Sequence, residues 1–278
     1  MTILVTGATG NAGGAVVRAL ADRGVRVRAL VRGEGTPAGL PDGTEVAVGD
    51  LNRPDSLHEA IRGIDAAFML SGYEGLEETL AAMGGAGVRR VVLLSSSAAP
   101  GGDLTNAVAR YHILSERAVA ASGLGWTFLR PSAFMSNALR WRPQLRAGDV
   151  VRLPFAGVRI ASIHPDDLGA VAAAALTTED HEGRAYRISG PESLLPGEQV
   201  AILARVLGRE LRFEAQPDDE AREEMSASMP AEYVDAFFDF YVDGNLDESE
   251  VLPTVEEVTG RKPRTFEDWT RANADAFR

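Results

Sequence analysis

The residues best suited to chemistry begin at Gly7. Gly7-Ala8-Thr9-Gly10-Asn11-Ala12-Gly13 sets glycines at G-x-x-G-x-x-G spacing between an apolar run, Thr2–Thr6, and a helical stretch at 11–23. Glycine at a strand-to-helix turn permits a sharp bend, lets the backbone approach a ligand and lets the helix pack closely on the sheet. The first N–H groups of such a helix lack intrahelical partners and carry the positive end of its dipole, so they attract phosphate. Gly7, Thr9, Gly10, Asn11, Ala12 and Gly13 are therefore candidate contacts for the pyrophosphate of a dinucleotide, against the plainer reading of a structural glycine turn.

A second strand, Val25–Val31, leads into Arg32. It lies about 20 residues past the glycines, where a carboxylate ordinarily takes the 2′-OH of NAD and an arginine accommodates the 2′-phosphate of NADP. The planar guanidinium matches phosphate, so NADP(H) is expected ahead of NAD(H). Asp50-Leu51 follows the third strand. There an acid can accept from an adenine amino group while the leucine packs on the ring, or Asp50 can simply cap the helix near residue 55.

These residues need a framework of alternating elements to hold them. Runs rich in Val, Ile and Leu at Thr2–Thr6, Val25–Val31, Thr44–Val48, Ala66–Leu70, Val88–Ser95 and Trp126–Leu129 read as strands, with helices at 11–23, 55–62, 74–86 and 105–122. The alternation predicts an α/β fold, a doubly wound parallel Rossmann sheet. A further strand–helix–strand piece, Arg159–Ile163, 166–176 and Ala185–Ser189, is assigned to the same sheet. The expected division gives 1–133 and 158–190 to nucleotide binding. Residues 134–157 and 191–278 form a smaller substrate lobe over the carboxyl edge of the strands, where open α/β sheets take their ligands. In that lobe Met225, Met229, Tyr233, Phe237 and Tyr241 recur every fourth residue and predict one apolar helical stripe, ordinarily core but able to face a flat aromatic ligand. His164-Pro165-Asp166-Asp167 reads as a helix start, and with no third ligand nearby no metal is expected.

Composition narrows the function classes. A chain of 278 residues, 45% hydrophobic and 24% charged, excludes disorder and coiled coil. Its 28 basic and 40 acidic side chains give a net charge of −12, with the excess acid in the second half, so nucleic acid is not an expected partner. No apolar run reaches membrane-spanning length and no basic leader precedes the first strand, so neither a span nor a signal peptide is expected. The absence of cysteine removes disulfides and thiolate chemistry and fits a reducing cytoplasm. Lys262 is the sole lysine.

On ThrGlyAlaThrGly at 6–10, Arg32, GlyAsp at 49–50, LeuSerSerSer at 94–97, His112 with Glu116, LeuArgPro at 129–131, HisProAspAsp at 164–167 and ArgIleSerGlyPro at 187–191, the chain resembles the NmrA-like, atypical branch of the short-chain dehydrogenase/reductase superfamily. That branch includes NADPH-dependent quinone and triphenylmethane reductases, isoflavone-type reductases, and co-regulators that bind the nucleotide without turnover. The resemblance implies hydride transfer from NADPH to a quinone-like or conjugated aromatic small molecule. A redox sensor without turnover is the alternative, and an epimerase or dehydratase that retains its nucleotide is a third.

Ordinary members of the superfamily use a Tyr-x-x-x-Lys dyad. Here Val258 stands where the tyrosine would precede Lys262; aligned through Glu116, the dyad positions are Val108 and His112, with Tyr111 out of register and directed off another helical face. Without the dyad, quinones and cationic dyes suit better than ketones that need a strong positioned acid. The resemblance places Ser95, Ser96 and Pro131 beside the cofactor, and the small residues of Leu70-Ser71-Gly72 suit a backbone lying against it. Ser97 and His112 are the catalytic candidates and Tyr73, Phe134 and Asn137 the substrate contacts. With an ordinary imidazole pKa of about 6.5, His112 could donate a proton or bond the ribose. It could also merely bond a neighbouring carbonyl or Glu116 at i,i+4. The partner is expected to be a small molecule, and the oligomeric state is open between monomer and homodimer.

Overall fold

Short β-branched strands, each followed by a helix with one apolar face, can bury those faces only by winding on both sides of a parallel sheet. The computed structural model describes residues 1–33, 35, 37 and 39–278. In chain order the elements are β1 (Thr2–Val5), α1 (Asn11–Ala21), β2 (Arg26–Val31), β3 (Glu45–Val48), α2 (His58–Ile61), β4 (Ala66–Leu70), α3 (Leu76–Gly85), β5 (Arg90–Leu94), α4 (Ala107–Ala121) and β6 (Gly125–Pro131). They continue with α5 (Arg142–Ala147), β7 (Val150–Leu153), α6 (Pro165–Thr177), β8 (Arg184–Ile188), α7 (Pro196–Leu207), β9 (Arg212–Ala215), α8 (Asp218–Ser226), α9 (Ala231–Tyr241), α10 (Thr254–Thr259) and α11 (Phe266–Ala272).

Seven strands form one parallel sheet in the order β3-β2-β1-β4-β5-β6-β8. The order reverses between β1 and β4, and at such a switch point the loops leaving adjacent strands part and open a crevice. One face of the sheet is covered by α1 and α6, whose Val16, Val17, Leu20, Leu168 and Val171 bury Ile3, Val5 and Phe68. Contact between those two helices is close, because a methyl group on Gly169 would stand 2.6 Å from the Ala15 carbonyl oxygen. The other face carries Leu57, Ile61, Leu80, Met83 and Val119 against Leu4, Met69, Val91 and Leu93. The expected strands and helices of the first half recur within a few residues of their predicted bounds.

Arg159–Ile163 departs from expectation. It contributes no strand to the sheet and makes only isolated bridges, Ile160 to Leu194 and Phe134 to Ile163. The edge of β6 is already taken by β8, from Thr127 to Pro131. The 159–163 segment therefore pairs with the chain past β6, where Met135 donates to the Ile163 carbonyl at 3.0 Å and Ile163 to that of Ala133 at 2.9 Å. The predicted continuous stripe from Met225 to Tyr241 is also divided. Met225 lies on α8, Met229 in the turn after it, and Tyr233, Phe237 and Tyr241 on α9, which starts anew because Pro230 cannot continue a helix and instead begins the next one. Beyond the main sheet, β7 and β9 pair in parallel, and Trp141, Leu203, Phe266 and Trp269 form their own apolar cluster.

Candidate functional site

The glycine turn is built by contact between backbones. Gly7 has φ +60°, a left-handed conformation suited to glycine, and a methyl group there would also strike Leu70. Gly10 donates to the Gly7 carbonyl at 2.8 Å. Gly13 lies so close that an added Cβ would be 2.2 Å from the Gly7 oxygen and 2.7 Å from that of Thr6. Gly10 precedes α1 without a side-chain cap, so the first N–H groups of the helix keep their capacity for an anion. Such a cradle, which any side chain would fill, fits a pyrophosphate. Thr9, Gly10 and Asn11 line a cleft of about 490 Å³ that extends to Ser136, His164 and Trp269.

Arg32 is exposed directly after β2. Asp50 holds its own turn, its carboxylate accepting from Asn52 N–H at 3.0 Å and its N–H donating to Ser56 Oγ at 2.9 Å. Leu51, expected to lie on an adenine, is buried with Leu30 and Leu57 beneath that turn.

A cavity of about 360 Å³ opens at the carboxyl ends of β4, β5 and β6. Leu70, Ser71, Ser95, Ser96 and Pro131 line it from the strand ends, His112 and Tyr111 from α4, Phe134 and Asn137 from the chain after β6, and Phe237, Phe240 and Tyr241 from α9. The residues brought together are thus most of those predicted from the strand termini. Three are turned elsewhere. Gly72 and Tyr73 line an outer groove on the far side of Tyr111. Ser97 faces a neighbouring crevice with Ser132, Arg187 and Glu250, its hydroxyl donating to Glu248 at 2.6 Å.

Tyr111 does not point away. It lies against His112 with ring centroids 4.1 Å apart and the planes tilted by 38°, and covers Gly72, whose φ is +87°. Because α4 crosses the mouth of the cavity, two successive side chains about 100° apart on the helix both reach it.

The polar network under the cavity is fixed. Glu116 accepts from Ser95 Oγ at 2.5 Å and from Arg130 through both guanidinium positions, at 2.8 and 2.6 Å, tying α4 to β5 and β6. Glu116 is therefore engaged and is not the partner of His112. Ser71 donates to the Leu94 carbonyl at 2.8 Å, and Gly72 N–H donates to Ser115 Oγ at 3.0 Å. Ser115, which no sequence pattern marked, locks the loop after β4. His164 accepts from Asp166 N–H at 3.0 Å as the cap of α6, while Asp167 accepts from Arg264 N–H at 2.6 Å. Both act as parts of the framework.

His112 differs from its expected behaviour. Burial lowers its pKa to about 4, and its Nδ1 is buried with no partner among the described residues. At neutral pH the ring is uncharged, so it can accept or donate one hydrogen bond but holds no ready proton. Sequence reasoning missed Glu248 altogether. It follows α9 in an ordinary acidic stretch, and only the fold brings it under the cavity. No group of side chains suited to a metal ion occurs among the described residues, nor any helix long and apolar enough to cross a membrane.

Comparison with known proteins matches residues 7–179 to a family described as NAD(P)H-binding. The chain is 42% identical over 279 residues to a (4-alkanoyl-5-oxo-2,5-dihydrofuran-3-yl)methyl phosphate reductase of Streptomyces griseus, with 99% of both chains covered. It is 34% identical over 284 residues to an NAD(P)H azoreductase of Xenophilus azovorans, again with 99% of each covered. Among solved structures, the triphenylmethane reductase of Citrobacter sp. complexed with NADP(H) superposes with a TM-score of 0.79 at 23% identity, covering 98% of this chain and 99% of the other. An NADPH-dependent quinone oxidoreductase of Escherichia coli gives 0.78 at 22% identity, with 98% and 99% covered.

Proposed function

The chain belongs to the NAD(P)H-binding family, and from that premise we infer that it is a reductase that passes hydride from NADPH to a conjugated small-molecule acceptor. The observation that carries this reading is the pairing of an uncapped helix start behind close-packed glycines with a partly apolar cavity at the adjoining strand ends. Gly7, Thr9, Gly10, Asn11, Ala12 and Gly13 hold the pyrophosphate through backbone N–H groups. Arg32 takes the 2′-phosphate and Asp50 the adenine edge. Leu70, Ser71, Ser95, Ser96 and Pro131 form the seat of the nicotinamide, whose C4 supplies the hydride when the coenzyme is bound.

Phe134 and Asn137 flank the acceptor, and His112, being neutral, orients it by a hydrogen bond. Within 134–157 and 191–278, the chain after β6 and α9 with the segment that follows it supply the roof that excludes water. Lys262 is exposed between α10 and α11, away from the cavity, so ribose and proton must be handled by other groups. The names of the Streptomyces griseus and Xenophilus azovorans relatives both describe unsaturated acceptors, which favours that class here.

The test is NADPH oxidation by the purified protein against quinones, unsaturated lactones, azo dyes and cationic dyes. Arg32→Glu should weaken NADPH about 100-fold by exchanging charge-assisted bonds for repulsion, with little effect on NADH. Tight NADPH binding without oxidation by any acceptor would favour the sensor reading instead. Equal loss of both coenzymes in Arg32→Glu would remove the arginine from the 2′-phosphate.

A further inference from the structure

Tyr241 and Glu248, in the wall of the cavity, have no part in the preceding reading. Glu248 is 7% exposed. Its Oε1 accepts from Ser97 Oγ at 2.6 Å and its Oε2 from the Tyr241 hydroxyl at 2.9 Å. The arginines of the adjoining strands are engaged elsewhere, Arg130 with Glu116 and Arg187 with Glu250. A carboxyl buried among hydroxyls without a cation favours its protonated form. Burial raises the Glu248 pKa and Asp247 adds to the effect, against hydrogen bonds from Ser97, Tyr241 and the Ala133 backbone that lower it. Glu248 also stands between two spaces, the cavity and the crevice lined by Arg187, Asp247 and Glu250, whose side chains reach solvent.

We propose that Tyr241 is the proton donor to the reduced acceptor and that Glu248 is the positioning residue behind it, passing it a replacement proton drawn from the crevice. The proposal rests on the reductase reading. Hydride addition to a conjugated carbonyl drives an electron pair onto the oxygen, which takes its proton as the Tyr241 O–H bond breaks. In the same step the O–H bond of protonated Glu248 breaks across its 2.9 Å contact and restores the phenol, the hydrogen bond having turned so that Glu248 donates to Tyr241 and Tyr241 to the acceptor; the carboxylate then regains a proton from water at the crevice. One hydride from NADPH and one proton from solvent are consumed per acceptor.

The environment explains why the pair is needed. Burial first of all raises the Tyr241 pKa above the ordinary phenol value, and an ionised Glu248 would raise it further, with Arg140 opposing. A phenol so placed gives up its proton readily only when another arrives in the same step. From α4, Tyr111 and the neutral His112 face the same space and bring no charge to it. Tyr241 itself is held by Phe155 and Phe240, at ring distances of 5.2 and 6.2 Å.

The experiment compares wild type, Tyr241→Phe and Glu248→Gln with NADPH and menadione. Each variant should lose about 100-fold in kcat, within the range for general acid catalysis, while KM and NADPH affinity hold. The wild-type rate should fall as pH rises through the elevated Glu248 pKa, and that limb should vanish in Glu248→Gln. Independently of turnover, infrared spectra of the coenzyme-free protein followed as pH rises should show a protonated carboxyl band that persists beyond the range of ordinary glutamates and that Glu248→Gln lacks. Tyr241→Phe keeps the aromatic packing and decides the matter if Glu248→Gln folds poorly. Undiminished kcat in Tyr241→Phe, or absence of the band, overturns the proton route and leaves the reductase reading standing. Failure of the wild type to oxidise NADPH with any acceptor overturns that reading and this one together.

Discussion

Gly13→Ala tests the glycine turn most directly. The added methyl carbon would lie 2.2 Å from the Gly7 oxygen, 2.5 Å from its carbonyl carbon and 2.7 Å from the Thr6 oxygen. Against a contact distance of about 3.5 Å, the overlap is roughly 1 Å deep. All three atoms belong to the backbone, so no side chain can rotate away and the start of α1 must move. Overpacking of this kind costs about 1–3 kcal/mol, offset by as much as about 1 kcal/mol from replacing glycine within a helix.

Stability should therefore fall only modestly, and coenzyme affinity is the sharper readout. A helix start displaced by that amount loses one charge-assisted hydrogen bond to the pyrophosphate. At about 1.5–3 kcal/mol, that loss raises the NADPH Kd roughly 10- to 150-fold. Titration calorimetry reads the affinity and denaturant unfolding the stability. Gly84→Ala serves as control, because its nearest neighbour is the Leu124 side chain at 3.8 Å, and it should bind NADPH as wild type does. If Gly13→Ala bound NADPH within about twofold of wild type and unfolded at the same midpoint, the turn could not be the close-packed phosphate cradle described above.

Two further outcomes follow from the network beneath the cavity. The folded pKa of His112 is lowered to about 4 while its unfolded value stays near 6.5. The unfolded chain therefore binds the extra proton in that interval, and the contribution of His112 is complete above the unfolded value and lost as pH falls through the folded one. The difference between wild-type and His112→Asn unfolding free energies should change by on the order of 3 kcal/mol across this window, and a pH-independent difference would contradict the burial of a neutral ring. Glu116→Gln leaves the Arg130 guanidinium, 22% exposed, without its carboxylate. It should cost about 3 kcal/mol in denaturant unfolding, the lower end for a broken buried pair because Arg130 keeps some solvent. A loss below about 1 kcal/mol would class the pair with ordinary surface bridges.

Local rules made the sheet and the coenzyme side of the site legible before any coordinates. Alternating short strands and helices allow essentially one winding, and a glycine turn between β1 and α1 is recognised by spacing within a few residues. Each strand-to-helix connection is local in the chain, and so Gly7 to Gly13 span the turn from β1 into α1 while Leu70, Ser95 and Pro131 stand at or next to the ends of β4, β5 and β6. The errors have a common origin in long-range competition. Arg159–Ile163 has the composition of a strand, but β8 already occupies the β6 edge. The reading of His112 bonded to Glu116 fails because Ser95 and Arg130 occupy that carboxylate.

The far wall of the cavity was legible only in part: Phe134, Asn137, Phe237 and Tyr241 line it as the sequence allowed, whereas Glu248 carried no local signal. Tyr241 lies far along the chain from Ser97, and Glu248 bonds a serine 151 positions away. The desolvation that neutralises His112 arises from elements that meet only on folding. Sequence by itself determined the winding of the sheet and the place of the glycine turn, because those follow from patterns a few residues long. Tertiary structure alone decided which titratable groups are buried together, because burial belongs to the packed whole and not to any segment of it.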